Sequence, residues 1–235
     1  LSRRRQRQMC IRDRYESGGT MSDNDALYSL EKVGLRLEHE IYSGKESVIY
    51  SGVLGKRDVA LKVFQPHKLK RMSHIFKRYE IFQDKTLKNP QKLAEDVAMS
   101  EYTFIKKASM GGVSVPTPIA RVENVVVMDF ITYKDDAAPT LKDIQMNDIE
   151  MEECYNQILT NLKNLYKNCD FIHGDLSEYN ILLNGQGKVV IIDWSLSLLK
   201  KNYYSYDVFL RGIKNIGDFF GKDYVEIMKE VVWYG

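Results

Sequence analysis

HGDLSEYNILLNGQGKVVIIDWS, residues 173–195, sets two carboxylates and one amide at spacings that carry chemistry. Asp175 and Asn180 lie five apart on a loop, and Asp193 follows 13 residues later at the end of an apolar strand. Phosphoryl transfer needs a carboxylate to orient the attacking hydroxyl or water, and hard oxygen ligands for Mg2+. Asp175 suits the first task; Asn180 and Asp193 suit the second. An Asx-rich turn between two strands would use similar letters. It would not place three polar residues in register beside the apolar Ile191-Ile192.

The Asp-x4-Asn interval is that of a kinase catalytic loop. Working outward, residues 181–183 and 188–192 read as a hairpin, with a short strand at Phe171 before them. A long helix over 149–168 precedes the loop, and helices over 204–220 and 224–233 follow. Upstream, residues 37–42, 47–54 and 58–64 are rich in β-branched and aromatic residues and read as strands. Gly55 to Asp58 punctuates the last two, and Pro66 ends the third. A short helix is expected at 26–35 and another at 93–110, closed by Gly111-Gly112. Two more strands are expected at 119–122 and 125–130. Residues 66–92 are basic and weakly periodic, and read as a mobile insertion or a loosely held helix. Five strands with one inserted helix, then mostly helix, predict an α+β fold with a β-rich lobe, a helical lobe and a cleft between them.

Lys62 in VALKVF (59–64) points opposite to Leu61 and Val63 on an alternating strand. There it can neutralise nucleotide phosphates, with Glu101 on the following helix as the natural carboxylate partner and Glu95 as a rival. A surface lysine on an edge strand is the plainer alternative. SGKESVIY (43–50) supplies one glycine, Gly44, where a kinase phosphate loop carries three. Ser43, Lys45 and Ser47 are its candidate donors, and an ordinary hairpin turn explains the same residues. VVVMDFI (125–131) ends where a hinge between lobes belongs. Met128 is expected at the back of a nucleotide pocket, with the backbone of Asp129 and Ile131 facing adenine.

The formal charge of +2 misleads, because six arginines against Asp13 and Glu16 put +4 into residues 1–20. The other 215 residues carry −2, with no global bias towards nucleic acid or anionic lipid. Cys10, Cys154 and Cys169 lack metal-site or disulfide-framework spacing. The cysteine pattern makes a reducing cytoplasm the expected setting, and no apolar run is long enough to span a membrane. Residues 1–20 lack the apolar core of a signal peptide. MCIRDR (9–14) is what ATG TGT ATA AGA GAC AGN encodes, which resembles a sequencing adapter read in frame. The natural protein is therefore expected to begin at Met21, with residues 1–20 a non-native or disordered basic arm. His39, His67 and His74 show no ligand spacing, and Trp233 reads as core or terminal packing.

Together these residues resemble the RIO family of atypical kinases. SGKESVIY, ALKVF, AAPTLKD (137–143), HGDLSEYNIL and FLRGIKNIGDFF (209–220) follow its patterns across residues 35–220. The resemblance implies a compact bilobal kinase domain over 21–235, with an N-lobe over 35–128 and a C-lobe over 132–235. It lacks the activation loop of ordinary protein kinases, and Gly174 stands for the arginine of H-R-D. The resemblance favours the subfamily without a winged-helix domain, with an archaeal-like member expected. The implied activity is ATP-dependent serine phosphorylation and ATPase turnover with Mg2+, or Mn2+ in its place, and Asp193 accepts phosphate as an acyl phosphate. The implied partner is the maturing small ribosomal subunit. Lys68, Lys70, Arg71, Lys77, Arg78 and Lys85 are candidate contacts to ribosomal RNA, with a solvated mobile loop as the plainer alternative, and Ser73 is a candidate autophosphorylation site. Trp194, Gly212 and the missing His-Pro after Asp193 depart from the family pattern. Two other functions fit the motifs: an aminoglycoside- or choline-kinase-like phosphotransferase, and a nucleotide-gated assembly factor with little turnover.

Overall fold

The computed structural model describes residues 21–233, with side chains from Ala26 onward; the expectations for residues 1–20 lie outside the described residues. The described chain divides into two compact units. One holds residues up to Tyr102 together with Pro118–Phe130, and the other holds Thr103–Thr117 and the chain from Ile131.

In the first unit, helix α1 (Met21–Lys32) is followed by strand β1 (Leu35–Ser43). The helix stops short of the expected residue 35 because Gly34, at φ +94°, turns the chain into the sheet. Strands β2 (Ser47–Leu54), β3 (Arg57–Phe64), β4 (Pro118–Val122) and β5 (Val125–Asp129) complete an antiparallel sheet ordered β1-β2-β3-β5-β4. β3 is therefore central, which removes the edge-strand reading of Lys62. Alternation sorts its side chains. Val59, Leu61 and Val63 pack with Val125 and Val127 against Ala26, Leu27 and Leu30 of α1. Each such valine or leucine contributes about 1.5–3 kcal/mol of burial. Register places Ala60 and Lys62 opposite Met128 and Val126, on the sheet face away from α1.

Of the two expectations for residues 66–92, a mobile insertion or a loosely held helix, the structure has the helical one, as helix α2 (Pro66–Arg78) and one turn, α3 (Asp84–Leu87). Pro66 presets the first helical φ. Leu69 and Phe76, two turns apart, are fully buried, and Phe76 meets Phe82 edge-on at 5.4 Å. Ser73 is likewise no loop residue: its hydroxyl donates to the carbonyl of Lys70 one turn back, at 2.8 Å. Helix α4 (Pro90–Met110) buries Leu93, Ala94, Val97 and Ala98. The boundary between the units falls within it, after Tyr102.

In the second unit, helix α5 (Asp148–Asn168) opens with a capping box. Asn147 accepts from the amides of Ile149 and Glu150, and Glu150 reaches back to the amide of Asn147. Short strands follow the pairing expected of residues 171–192. Three further strands escape sequence periodicity because two residues are too few to alternate. β6 (Thr132–Tyr133) pairs with β7 (Asp136–Ala137), β8 (Phe171–Ile172) with β11 (Leu198–Leu199), and β9 (Ile181–Leu183) with β10 (Val189–Ile191). Helices α6 (Ser205–Phe220) and α7 (Tyr224–Val232) end the described chain.

Trp233 corrects its expectation. It follows the last turn of α7 and is 72% exposed. The interior tryptophan is Trp194, fully buried, with Nε1 donating to the carbonyl of Ile191 at 3.1 Å. Its ring meets those of His173 and Phe171 edge-on. The bulk that departs from the family pattern thus fills the core beneath the catalytic loop. No helix among the described residues is long and apolar enough to cross a membrane.

Candidate functional site

Candidate residues occur in both units. In the first unit the Lys62 ammonium is almost wholly buried between two carboxylates, Glu101 Oε2 at 2.7 Å and Glu46 Oε1 at 2.8 Å. Glu101 is thus the partner of Lys62. The rival, Glu95, accepts instead from the Gln91 amide, at 3.5 Å. The ring of Phe64 lies 4.9 Å from Nζ. A buried lysine is held charged by such neighbours, and removing it would strand both carboxylates. Formally the trio has one negative charge in excess.

Glu46 was not singled out by sequence, since the letters of a loop do not show which side chain turns inward. The residues around it behave as a hairpin. The amide of Gly44 donates to Ser47 O at 3.0 Å, and Gln65 N donates to Glu46 O at 2.9 Å. Of the candidate donors, Lys45 is exposed and Ser47 is buried. The Ser43 hydroxyl accepts from Lys68 Nζ at 2.8 Å. Met128 is buried on the Lys62 face of β5. The carboxylate of Asp129 accepts from Arg57 Nε at 2.6 Å, and this hydrogen bond raises the Arg57 guanidinium above its usual range. In the second unit, the carbonyl of Ile131 accepts from Ala138 N at 2.9 Å.

Residues 173–176 of the catalytic loop lie outside the regular hydrogen-bond ladders, so their backbone carbonyls need other partners. Side chains supply them for four consecutive carbonyls. His173 O accepts from Ser197 Oγ at 3.3 Å, Gly174 O from Arg211 at 3.1 Å, Asp175 O from Asn180 Nδ2 at 2.7 Å, and Leu176 O from Asn215 Nδ2 at 2.9 Å. His173 adds two more ties. Its Nε2 donates to Ile192 O at 2.8 Å, and its Nδ1 accepts from the amide of Asp175 at 3.3 Å. Asp175 itself projects as an exposed side chain from this braced backbone. Arg211 and Asn215 are one turn apart on α6, and between them Gly212 lets the helix approach closely. A Cβ there would meet that of Leu176 at 3.1 Å. The FLRGIKN segment is therefore a clamp on the catalytic loop, a role its spacing alone did not disclose.

Gly174 is demanded twice. Its φ is +86°, and an added Cβ would lie 1.9 Å from the carbonyl oxygen of Leu196. Gly174→Ala is expected to destabilise the protein by upwards of about 3 kcal/mol. Urea unfolding reads this directly, and an unchanged midpoint would contradict it.

Asp193 adopts φ +65°, a left-handed conformation for a residue with a side chain, two residues after β10 ends. Ser195 Oγ donates to its Oδ1 at 3.1 Å. Ile192 N donates to Asn180 O at 3.0 Å, tying the two short segments together. Because a carbonyl can only accept, the Asn180 nitrogen must face Asp175 O, which leaves Oδ1 as the amide's acceptor. A carboxylate and an amide oxygen are the hard donors a magnesium ion prefers, so these residues fit that ion. Burial pushes the Cys154 and Cys169 thiols up, away from the reactive thiolate. Of the unassigned histidines, His39 shares a hydrogen bond with Ser51 at 3.0 Å, and it belongs to no potential metal-ligand group among the described residues.

Comparison with known proteins places this geometry. The RIO domain matches residues 48–232. Human serine/threonine-protein kinase RIO3 is 32% identical over 197 residues, covering 77% of this chain and 38% of its own length. The RIO-type serine/threonine-protein kinase Rio1 of Methanocaldococcus jannaschii is 33% identical over 188 residues, covering 79% of this chain and 63% of its own. The chain thus spans less than two thirds of the length of each of these relatives. Among solved structures, the Rio2 kinase–ADP/Mg2+-phosphoaspartate complex of Chaetomium thermophilum superposes with a TM-score of 0.67 at 22% identity. It covers 88% of this chain and 65% of that one, a likeness of fold. A domain match over most of the chain, together with relatives that share about a third of their aligned residues, shows that the chain belongs to the RIO kinase family.

Proposed function

We propose that the chain is an ATP-dependent phosphotransferase, a serine kinase with ATPase turnover, that serves maturation of the small ribosomal subunit in the cytoplasm. The observation that carries the enzymatic reading is the bracing of Asp175. A side chain held this firmly by its backbone is preorganised for a reacting group. Asp175 orients the attacking hydroxyl and takes its proton as the bond from the γ-phosphorus to the departing ADP oxygen breaks. Lys62, steadied by Glu101 and Glu46, neutralises phosphate oxygens of ATP. Asn180 and Asp193 would hold Mg2+, or Mn2+ in its place, which when bound neutralises charge on the phosphates. The formal excess of negative charge around Lys62 favours a nucleotide that arrives with a divalent cation over a bare triphosphate.

When no serine is presented, the Asp193 carboxylate attacks the γ-phosphorus in its place. Asp175 orients the water that hydrolyses the resulting acyl phosphate, and inorganic phosphate leaves, which balances one ATP and one water against ADP and phosphate. The complex named for Rio2 contains ADP, Mg2+ and phosphoaspartate, which supports this route. Ribosomal partnership rests on the family resemblance alone. The test is to incubate the full chain with γ-labelled ATP and Mg2+ and to separate acid-stable phosphoserine from alkali-labile acyl phosphate. Label in the acyl form, absent from Asp193→Asn, is the expected result. No label together with no phosphate release overturns the reading.

A further inference from the structure

Helix α2 sorts its residues into two faces. The buried side holds Leu69 and Phe76. The exposed positions His67, Lys70, Arg71, His74, Lys77 and Arg78 recur at helical spacing and fall within an arc of about 120°. They run along roughly 17 Å of axis. The helix contains no carboxylate and carries +5, whereas the rest of residues 21–235 carries −7. Lys70, Arg71, Lys77 and Arg78 make no ion pair among the described residues.

A merely solvated helix face mixes charge signs, because opposite charges three or four residues apart stabilise it and like charges weaken it. Lys77 and Arg78 in the last turn are favoured by the helix dipole, but Lys70 and Arg71 near the middle are not. The stripe thus costs the isolated helix stability, which points to a role in binding an anion.

We infer that this face docks on the phosphate backbone of RNA. Phosphates repeated along a strand match cations repeated along a helix, and the planar arginine and histidine groups can also stack on unpaired bases. A membrane surface fits worse, since interfacial helices expose an apolar face and this one buries its own. The choice of RNA over DNA rests on the ribosomal part of the proposed function; the contact itself rests on the helix.

The test compares the full chain with a variant carrying Lys70→Ala, Arg71→Ala, Lys77→Ala and Arg78→Ala. All four positions are exposed and lie outside the nucleotide site. Binding to a single-stranded RNA, an RNA hairpin, a DNA duplex, phosphatidylserine vesicles and polyglutamate is measured across salt concentrations. The expected result is RNA binding by the wild type that falls at least about tenfold in the variant. The slope of log affinity against log salt should shrink by about 3 for single-stranded RNA. The unfolding midpoint and ATP turnover should not move. Unchanged RNA affinity in the variant, no RNA binding by the wild type, or tighter binding to vesicles or polyglutamate each overturns the inference. Equal affinity for duplex DNA overturns the choice of RNA. Absence of ATP turnover in a chain that still binds RNA through this face would sink the enzymatic reading alone.

Discussion

Asp175→Asn is expected to lower ATP turnover about a thousandfold, the range that a positioned acid or base contributes, with nucleotide affinity within about threefold of wild type. The exposed side chain has little packing to lose. Its amide and carbonyl stay bonded to His173 and Asn180, because those ties run through the backbone. A rate loss without an affinity loss would mark Asp175 as acting at the reacting hydroxyl. Steady-state phosphate release and a separate binding measurement read the two quantities. Turnover retained within tenfold would remove Asp175 from the chemistry.

Lys62→Met should unfold more easily by about 3–5 kcal/mol, because it leaves Glu46 and Glu101 buried without their cation. Nucleotide affinity should fall with it. The two effects separate in a further variant, Lys62→Met with Glu46→Gln and Glu101→Gln. Neutral amides of nearly the same shape need no cation, so most of the lost stability should return while nucleotide binding stays absent. Urea midpoints and a binding titration on the three proteins give the answer. If the triple variant is no more stable than Lys62→Met, the buried-charge explanation fails.

Much of the fold was legible because its elements are long enough to show a period. β2, β3, α4 and α5 follow strand and helix spacing in the letters, and Asp175, Asn180 and Asp193 follow a spacing tied to one chemistry. The letters of α2 leave it between a mobile insertion and a loosely held helix because five cations dominate its composition, while its buried side consists of Pro66, Leu69 and Phe76. β6, β7 and β11 are too short to carry a pattern. The missed parts of the site are long-range. Arg211 reaches Gly174, and Asn215 reaches Leu176, across 37 and 39 residues of chain. Nothing in a local window predicts which helix face will meet which loop. Glu46 was hidden for a related reason: its neighbours in sequence spell a turn, and its burial beside Lys62 is a property of the sheet. Trp233, read as core or terminal packing, lies exposed after the last turn of α7, whereas Trp194 beside β10 is the buried tryptophan.

The central claim is that this chain takes up ATP through Lys62 together with a divalent ion. Calorimetric titration of Mg2+-ATP into wild type and into the triple variant, repeated with the metal chelated, tests it most directly. The account predicts one nucleotide per chain for wild type, at least about tenfold weaker uptake without metal, and none for the triple variant. Uptake that survives both the loss of Lys62 and the loss of metal, or no uptake by wild type at all, would contradict it.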